Sequence, residues 1–165
     1  MHDWQVFGLK AVHSSSFLQP DPQSFTIFFW MSMEKPSSLK RRILIIDDDE
    51  SICTLLRTFF ESIEYEVTTC MSPVGIFQDL ESLHADVILL DVMMSWVDGF
   101  RVCELLKSHP HTKNIPVLMI SARSRKEDIQ RGLAAQAADY ITKPFDLSRL
   151  RGRIEEILAL EDIAN

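Results

Sequence analysis

Acidic residues directly follow two short apolar segments, and they are the groups in this sequence best suited to chemistry. Asp47–Asp49 come after the run Ile43–Ile46, and Asp91 ends the run Val87–Leu90. Each run is too short for a helix and is typical of a strand buried on both faces. Because ligands of open parallel α/β sheets bind beyond the carboxyl ends of the strands, we expect these acids to share one site.

Two further polar groups follow apolar segments in the same way. Ser121 comes after Pro116–Ile120, and Lys143 comes after Asp139–Thr142. Clustered carboxylates repel one another unless a cation lies among them, and hard oxygen ligands favour Mg²⁺. An ammonium group and a hydroxyl beside the metal would complete a site for a phosphoryl group.

The apolar pattern places these groups on alternating strands and helices. The predicted strands are Ile43–Ile46, Glu66–Cys70, Asp86–Asp91, Pro116–Ile120 and Asp139–Thr142. The predicted helices are an apolar stripe from Ile52 to Ile63 capped by Asp49 or Ser51, then Ser72–Leu83, a helix burying Phe100, Cys103 and Leu106, Arg125 to about Ala135, and a final helix from Leu147. Five strands alternating with five helices predict an α/β protein, a doubly wound parallel sheet with helices on both faces. Glu66–Cys70 is the weakest strand and is expected near an edge.

The chain divides into two regions of different composition. Residues 1–39 mix aromatic residues with Ser, Gln and Pro and lack periodicity, so we expect a poorly ordered N-terminal extension. An equally weighted interpretation is that this extension is not translated, with Met31 or Met33 as the start. Residues 40–162 form the predicted domain.

Composition excludes several classes of protein. The net charge of −7 argues against direct binding to nucleic acid or to acidic membranes. No apolar stretch approaches the ~20 residues needed to span a bilayer, so we expect no membrane insertion. Cys53, Cys70 and Cys103 have neither disulfide nor zinc spacing and are expected to be buried thiols in a reducing cytoplasm.

Four motifs together resemble the receiver domain of two-component response regulators, in particular single-domain chemotaxis regulators. They are Ile-Leu-Ile-Ile-Asp-Asp-Asp, Val-Ile-Leu-Leu-Asp-x-x-Met, Val-Leu-Met-Ile-Ser-Ala and Asp-Tyr-Ile-Thr-Lys-Pro-Phe, in family order between Arg41 and Ala159. The resemblance implies a flavodoxin-like sheet with strand order 2-1-3-4-5.

The same resemblance assigns roles to individual residues. It implies that Asp91 is the phosphoacceptor and one of the metal-site residues, and that Asp48 binds Mg²⁺ directly, with Asp47 acting through water and the backbone carbonyl of Met93 as a further ligand. Ser121 and Lys143 would each bind a phosphoryl oxygen. Tyr140 matches the aromatic residue that changes rotamer on phosphorylation, and Lys143-Pro144 matches the family's cis peptide.

The resemblance also implies partners and a mode of action. A sensor histidine kinase or a phosphotransfer protein would supply the phosphoryl group in a phosphorelay. The fourth helix, fifth strand and fifth helix would form the face that binds a downstream protein. The chain would then act as a phosphorylated switch in signal transduction and not as an enzyme.

Three positions depart from the family pattern. Ser95 stands where the family usually has Pro, and Val97 stands where a second Met is common. Gln136 replaces the usual Gly at the end of the fourth helix and must adopt a positive φ or end the helix differently. None of these positions supplies a phosphoryl-binding group in the family.

Two other functions fit part of the pattern. Asp47-x-Asp49 after a buried strand also resembles the nucleophile motif of haloacid-dehalogenase-type phosphatases, although that interpretation leaves Asp91 without a role. A phosphate-independent adaptor would need no site at all. Taken one at a time, Asp47–Asp49 could be a helix cap, Ser121 another cap, Lys143 a surface charge, and Tyr140 a core residue.

Overall fold

The computed structural model describes residues 40–72, 80–81 and 83–164. Its sheet has five parallel strands in the order β2-β1-β3-β4-β5, which is the flavodoxin-like order that the family resemblance implies. The strands are β1 Arg42–Ile46, β2 Glu66–Cys70, β3 Val87–Asp91, β4 Val117–Ser121 and β5 Asp139–Thr142. The described helices are α1 Glu50–Ser62, α2 Gly99–Ser108, α3 Lys126–Ala134 and α4 Leu147–Ala164.

The predicted domains and helices compare with this description as follows. The N-terminal extension, residues 1–39, lies outside the described residues. So does most of the predicted helix Ser72–Leu83, and its described residues Leu80, Glu81 and Leu83 are not helical, so that prediction is wrong at its end. The fourth and fifth predicted helices are therefore α3 and α4.

The strand register brings the carboxyl ends of β1, β3 and β4 to one edge of the sheet. Ile46 pairs with Leu90, and Asp91 pairs with Ile120. Ser121 at the end of β4 pairs with Thr142 at the end of β5. The polar residues that follow these strands are therefore neighbours, although they are up to 96 positions apart in sequence.

The sheet is buried because helices cover both of its faces. On one face, Phe100, Cys103 and Leu106 of α2 pack against inward-facing strand residues such as Leu90 and Met119. On the other face, residues of α1 and α4, including Leu56, Phe60, Leu150 and Ile154, pack against residues such as Ile45 and Leu89. Each fully buried Leu, Ile or Phe contributes about 1.5–3 kcal/mol, so these two clusters fix the strand ends.

Burial differs between the centre and the edge of the sheet. All five residues of β3 and of β4 are buried. β2 alternates between exposed and half-buried residues, which confirms that it is an edge strand. Cys53 and Cys103 are buried free thiols, but Cys70 on β2 is half-buried, so its predicted burial is wrong because an edge strand is covered less completely.

Local signals in the sequence set the ends of the helices. The Asp49 side chain accepts hydrogen bonds from the backbone N–H groups of Ser51 and Ile52, so Asp49 is the cap of α1. Gln136 follows α3 with φ of 64°, which is the first of the two alternatives expected at this position. Lys143-Pro144 is a cis peptide, as the resemblance implies. None of the helices in the described ranges combines the length and the hydropathy needed to cross a membrane.

Candidate functional site

Three carboxylates meet at the carboxyl edge of the sheet. Asp47 and Asp48 follow β1, and Asp91 ends β3. One oxygen from each of the three lies within 4.8 Å of the others. Asp47 and Asp91 are 3% and 4% exposed, whereas Asp48 is half-buried and faces solvent more openly. The site is therefore an acidic pocket with two deep carboxylates and one at its rim.

Lys143 lies between the two deep carboxylates. Its Nζ is 2.9 Å from Asp47 Oδ2 and 2.8 Å from Asp91 Oδ1. Burial alone would lower the pKa of Lys143, but the hydrogen bonds to Asp91 and Asp47 outweigh burial and raise it. Lys143 is thus a fixed positive charge that touches Asp91 directly.

The surroundings of Asp47 disfavour its ionised form. Its burial raises its pKa, although the N–H of Asp49, 2.9 Å from Oδ1, and the ammonium of Lys143 act in the opposite direction. The nearby charge of Asp91 adds to the increase. A cation that enters the pocket would therefore relieve an unfavourable concentration of negative charge.

Asp48 is bound to the loop that follows β3. The backbone N–H of Ser95 donates to Asp48 Oδ2 at 2.7 Å. Hydrogen bonds from the Ser95 side chain and backbone lower the pKa of Asp48. Asp48 is therefore ionised at neutral pH, with one oxygen engaged by the loop.

Asp91 is held by the same loop from its other side. The backbone N–H of Met93 donates to Asp91 Oδ2 at 2.7 Å. Gly99, at the start of α2, packs so closely that a Cβ atom there would lie 2.3 Å from the Asp91 carbonyl oxygen. Sequence analysis did not find this contact; the Asp98-Gly99 pair was the available signal, because glycine allows such an approach.

Ser121 and Tyr140 lie beside this pocket. Ser121 is fully buried, and its Oγ accepts a hydrogen bond of 3.1 Å from the N–H of Arg123. The hydroxyl of Tyr140 donates to the carbonyl of Arg123 at 3.0 Å, and Tyr140 is 9% exposed. Burial raises the pKa of Tyr140, and a hydrogen bond with Ser121 partly offsets the increase. Both side chains therefore bond the loop that joins β4 to α3.

A family model described as the response regulator receiver domain matches residues 43–155. The chain belongs to this family. Receiver domains accept phosphoryl groups in two-component phosphorelays, and membership assigns this general role to the chain. The match disfavours the phosphatase alternative, whose nucleophile would have been Asp47.

Curated relatives of the receiver domain are longer proteins. The regulator RpaA of Synechocystis is 38% identical over 121 residues, which are 73% of this chain and 50% of that protein. The response regulator PleD of Caulobacter vibrioides is 40% identical over 120 residues, 72% of this chain and 26% of that protein. The chain thus spans about half or less of the length of these relatives.

Solved receiver domains match over their whole length. A CheY-like receiver domain from Methanospirillum hungatei superposes with a TM-score of 0.70 at 25% identity, covering 76% of this chain and 99% of that one. A response regulator described as putative, from Chloroflexus aurantiacus, gives 0.68 at 32% identity, covering 73% and 98%. The receiver domain therefore accounts for the described fold.

The donor set of the receiver site suits a hard divalent cation. Three carboxylates close together, with one lysine, leave a net negative pocket that oxygen-binding cations such as Mg²⁺ favour. Four predicted residues, Asp47, Asp48, Asp91 and Lys143, lie together in the pocket. The backbone of Met93 bonds Asp91 directly, whereas Ser121 and Tyr140 bond the backbone of Arg123 beside the pocket.

Proposed function

We propose that Asp91 accepts a phosphoryl group from a phosphohistidine on a sensor histidine kinase or phosphotransfer protein. The observation that carries this proposal is the position of the Asp91 carboxylate, with Lys143 Nζ at 2.8 Å from one oxygen and the Met93 N–H at 2.7 Å from the other. Two donors hold the nucleophile in place while leaving the pocket open toward solvent at Asp48. Catalysis of phosphoryl transfer depends mainly on such positioning and on positive charge.

In the transfer step, a carboxylate oxygen of Asp91 attacks phosphorus. A P–O bond forms, the P–N bond to the histidine breaks, and the imidazole leaves with its electron pair. The ammonium of Lys143 is placed to bind a phosphoryl oxygen, since it already touches Asp91 Oδ1. The product is an aspartyl phosphate.

Asp48 and Asp91 would hold Mg²⁺ directly, Asp47 would hold it through water, and the Met93 carbonyl would complete the protein ligands. The ion would neutralise negative charge on the phosphoryl oxygens. The raised pKa of Asp47 supports this assignment, because burial and the charge of Asp91 both disfavour its ionised form without a cation.

The phosphoryl group would act as a switch through Ser121 and Tyr140. Ser121 would move toward the phosphoryl group and Tyr140 would turn inward, so that the face formed by α3, β5 and α4 changes its preference for a downstream protein. Both hydroxyls bond Arg123 in the described state, which gives one loop through which the change can pass. Phosphate shifts such an equilibrium only by binding one packing more strongly than the other.

Two further proposals concern the class of the downstream partner and the cellular compartment. The downstream partner would be a protein and not nucleic acid, which the net charge of −7 supports. The compartment would be the cytoplasm, which the three free thiols of Cys53, Cys70 and Cys103 support.

Intact-mass spectrometry with acetyl phosphate and Mg²⁺ tests the proposal. The wild-type chain is expected to gain the mass of one phosphoryl group, and Asp91→Asn is expected to gain none. Asp146→Asn is the matched control, because Asp146 is an exposed aspartate whose side chain caps a helix instead. A phosphoryl group that persists on Asp91→Asn would overturn the assignment.

A further inference from the structure

Two backbone N–H groups of the loop after β3 donate hydrogen bonds to two acids of the pocket. Met93 N–H binds Asp91, and Ser95 N–H binds Asp48 Oδ2 at 2.7 Å. The Ser95 bond joins residues 47 positions apart and is made at the rim, where both residues reach solvent.

Proline, the residue that the family usually has at this point, has no N–H and no hydroxyl. A proline here would be unable to make the backbone bond to Asp48. Serine in place of the family's proline therefore adds a hydrogen bond to the site, although Ser95 supplies no group that binds the phosphoryl oxygens.

We propose that Ser95 is a positioning residue that holds the Asp48 carboxylate in the orientation that binds the cation. The proposal rests on the proposed function, because it takes Asp48 as a cation ligand. The N–H of Ser95 engages Oδ2 at 2.7 Å and so restrains the direction of the carboxylate. Hydrogen bonds from surrounding residues to ligating carboxylates commonly change metal affinity by about 10–100-fold, and an exposed bond belongs at the lower end.

The same bond couples the cation to the position of the loop. Trp96 follows Ser95 and is 83% exposed. It lines a surface cavity of about 400 Å³ together with Met93 and Arg123. If the Ser95 bond favours cation binding, cation binding must favour the bonded loop by the same factor. The indole of Trp96 is then a reporter of occupancy.

Mg²⁺ titrations of the full chain test this role. Trp4→Phe and Trp30→Phe leave Trp96 as the fluorophore, since the chain has three tryptophans. Ser95→Pro removes the N–H, Ser95→Ala keeps it and is the matched control, and Ser124→Ala, at an exposed serine on the loop after β4, is a second control. Calorimetry on the same variants measures the Mg²⁺ Kd independently of fluorescence.

We expect Ser95→Pro to raise the Mg²⁺ Kd about tenfold, with Ser95→Ala and Ser124→Ala unchanged. A Kd for Ser95→Pro that is equal to or below that of Ser95→Ala would overturn the proposal, because loop stiffness would then outweigh the lost amide. Thermal melts verify folding. If Ser95→Pro does not fold, hydrogen exchange of the Ser95 amide in the wild type decides, and an exchange rate that Mg²⁺ does not lower overturns the proposal.

Failure of this inference is distinguishable from failure of the proposed function. At saturating Mg²⁺, Ser95→Pro is expected to reach the same phosphorylated fraction with acetyl phosphate as wild type. Loss of phosphorylation from the wild type would overturn the proposed function, whereas equal Mg²⁺ affinities with normal phosphorylation would overturn the role of Ser95.

Discussion

One lysine faces three carboxylates at the centre of this site. Lys143 pairs with Asp47 and Asp91 and leaves the charge of Asp48 to solvent and to Ser95. The arrangement is unfavourable for the isolated protein, because burial raises the pKa of Asp47. Sites that must bind a charged ligand commonly keep such destabilising groups.

Mg²⁺ is therefore expected to stabilise the folded protein at neutral pH. At about 100 times its Kd, the gain in the free energy of unfolding is about 2.7 kcal/mol by mass action. Asp48→Ala should abolish most of the gain, and Asp146→Asn should keep it. Thermal melts with and without Mg²⁺ measure both, and an equal gain in Asp48→Ala would contradict the assigned ligand.

The Mg²⁺ effect should also depend on pH. Because the pKa of Asp47 is raised on folding, ionisation of Asp47 disfavours the folded state, an effect absent below the unfolded pKa of about 3.9 and complete above the folded pKa. Mg²⁺ relieves this cost, so its stabilisation should disappear as pH falls through the folded pKa of Asp47. Melts between pH 3.5 and about pH 7 test the direction; a Mg²⁺ gain that grows on acidification would contradict it.

The lifetime of the proposed aspartyl phosphate is expected to depend on the residues beside Asp91. Met93 is exposed and apolar, and Arg123 is a cation lining the same cavity, so neither supplies a general base for water. We expect decay over minutes or longer, and loss within seconds would contradict this. Met93→Glu introduces a carboxylate and should shorten the half-life several-fold, with Met93→Leu as the control.

Helix α3 packs on β5 at one glycine. A Cβ atom on Gly132 would lie 2.8 Å from the Tyr140 ring and 3.0 Å from Met119 Sδ. A Cβ atom on Gly152 in α4 would make no such contact within 4 Å. These two helical glycines therefore separate the effect of packing from that of helix propensity.

Gly132→Ala is expected to lower the free energy of unfolding by about 1–3 kcal/mol, because the ring of Tyr140 must move. Gly152→Ala should raise it by about 0.5–1 kcal/mol, since alanine is the better helix former. Urea denaturation measures both. Equal changes in the two variants would show that α3 and β5 are less closely packed than described.

Asp86 joins two strands at the end of the sheet opposite the pocket. Its carboxylate accepts hydrogen bonds from the Arg42 backbone at 2.7 Å and from the Arg42 guanidinium at 3.1 Å. Burial alone would raise the pKa of Asp86, but the bonds from Arg42 outweigh it and lower the pKa. This carboxylate therefore joins β1 to the start of β3.

A lowered pKa contributes stability above the unfolded pKa that is lost as pH falls through the folded value. Asp86→Asn is expected to cost about 1 kcal/mol at pH 7 and to reduce the loss of stability below about pH 4. Denaturation curves across that range test it. An acid transition in Asp86→Asn that matches the wild type would contradict the role of this pair.

For the molecule as a whole, sequence predicted what depends on local pattern. Buried strands such as Val87–Leu90 are continuous apolar runs, and their ends are marked by Asp91 and Ser121, so both the sheet and its polar edge were foreseen. The positive φ of Gln136 was one of two alternatives that followed from the glycine usual in the family. The strand order and the cis peptide came from the family resemblance.

Contacts between distant backbone groups were not foreseeable in the same way. The Ser95 N–H to Asp48 bond and the approach of Gly99 to Asp91 depend on the path of a loop, which no periodicity encodes. The Tyr140 ring against Gly132 likewise depends on how α3 lies on β5. Sequence reasoning found the chemical groups, and the structure added what holds them.

Arg131 links the position of α3 to the start of α2, next to the pocket. Its guanidinium lies 4.2 Å from the Phe100 ring centroid and 2.7 Å from Asp98 Oδ2, while Asp98 Oδ1 caps the start of α2. If α3 is displaced, the first turn of α2 loses its stacked cation and Asp98 is released next to Gly99. A protein that binds α3 and displaces it would thereby alter the backbone next to Asp91. Partner binding and retention of the phosphoryl group would then depend on the same equilibrium.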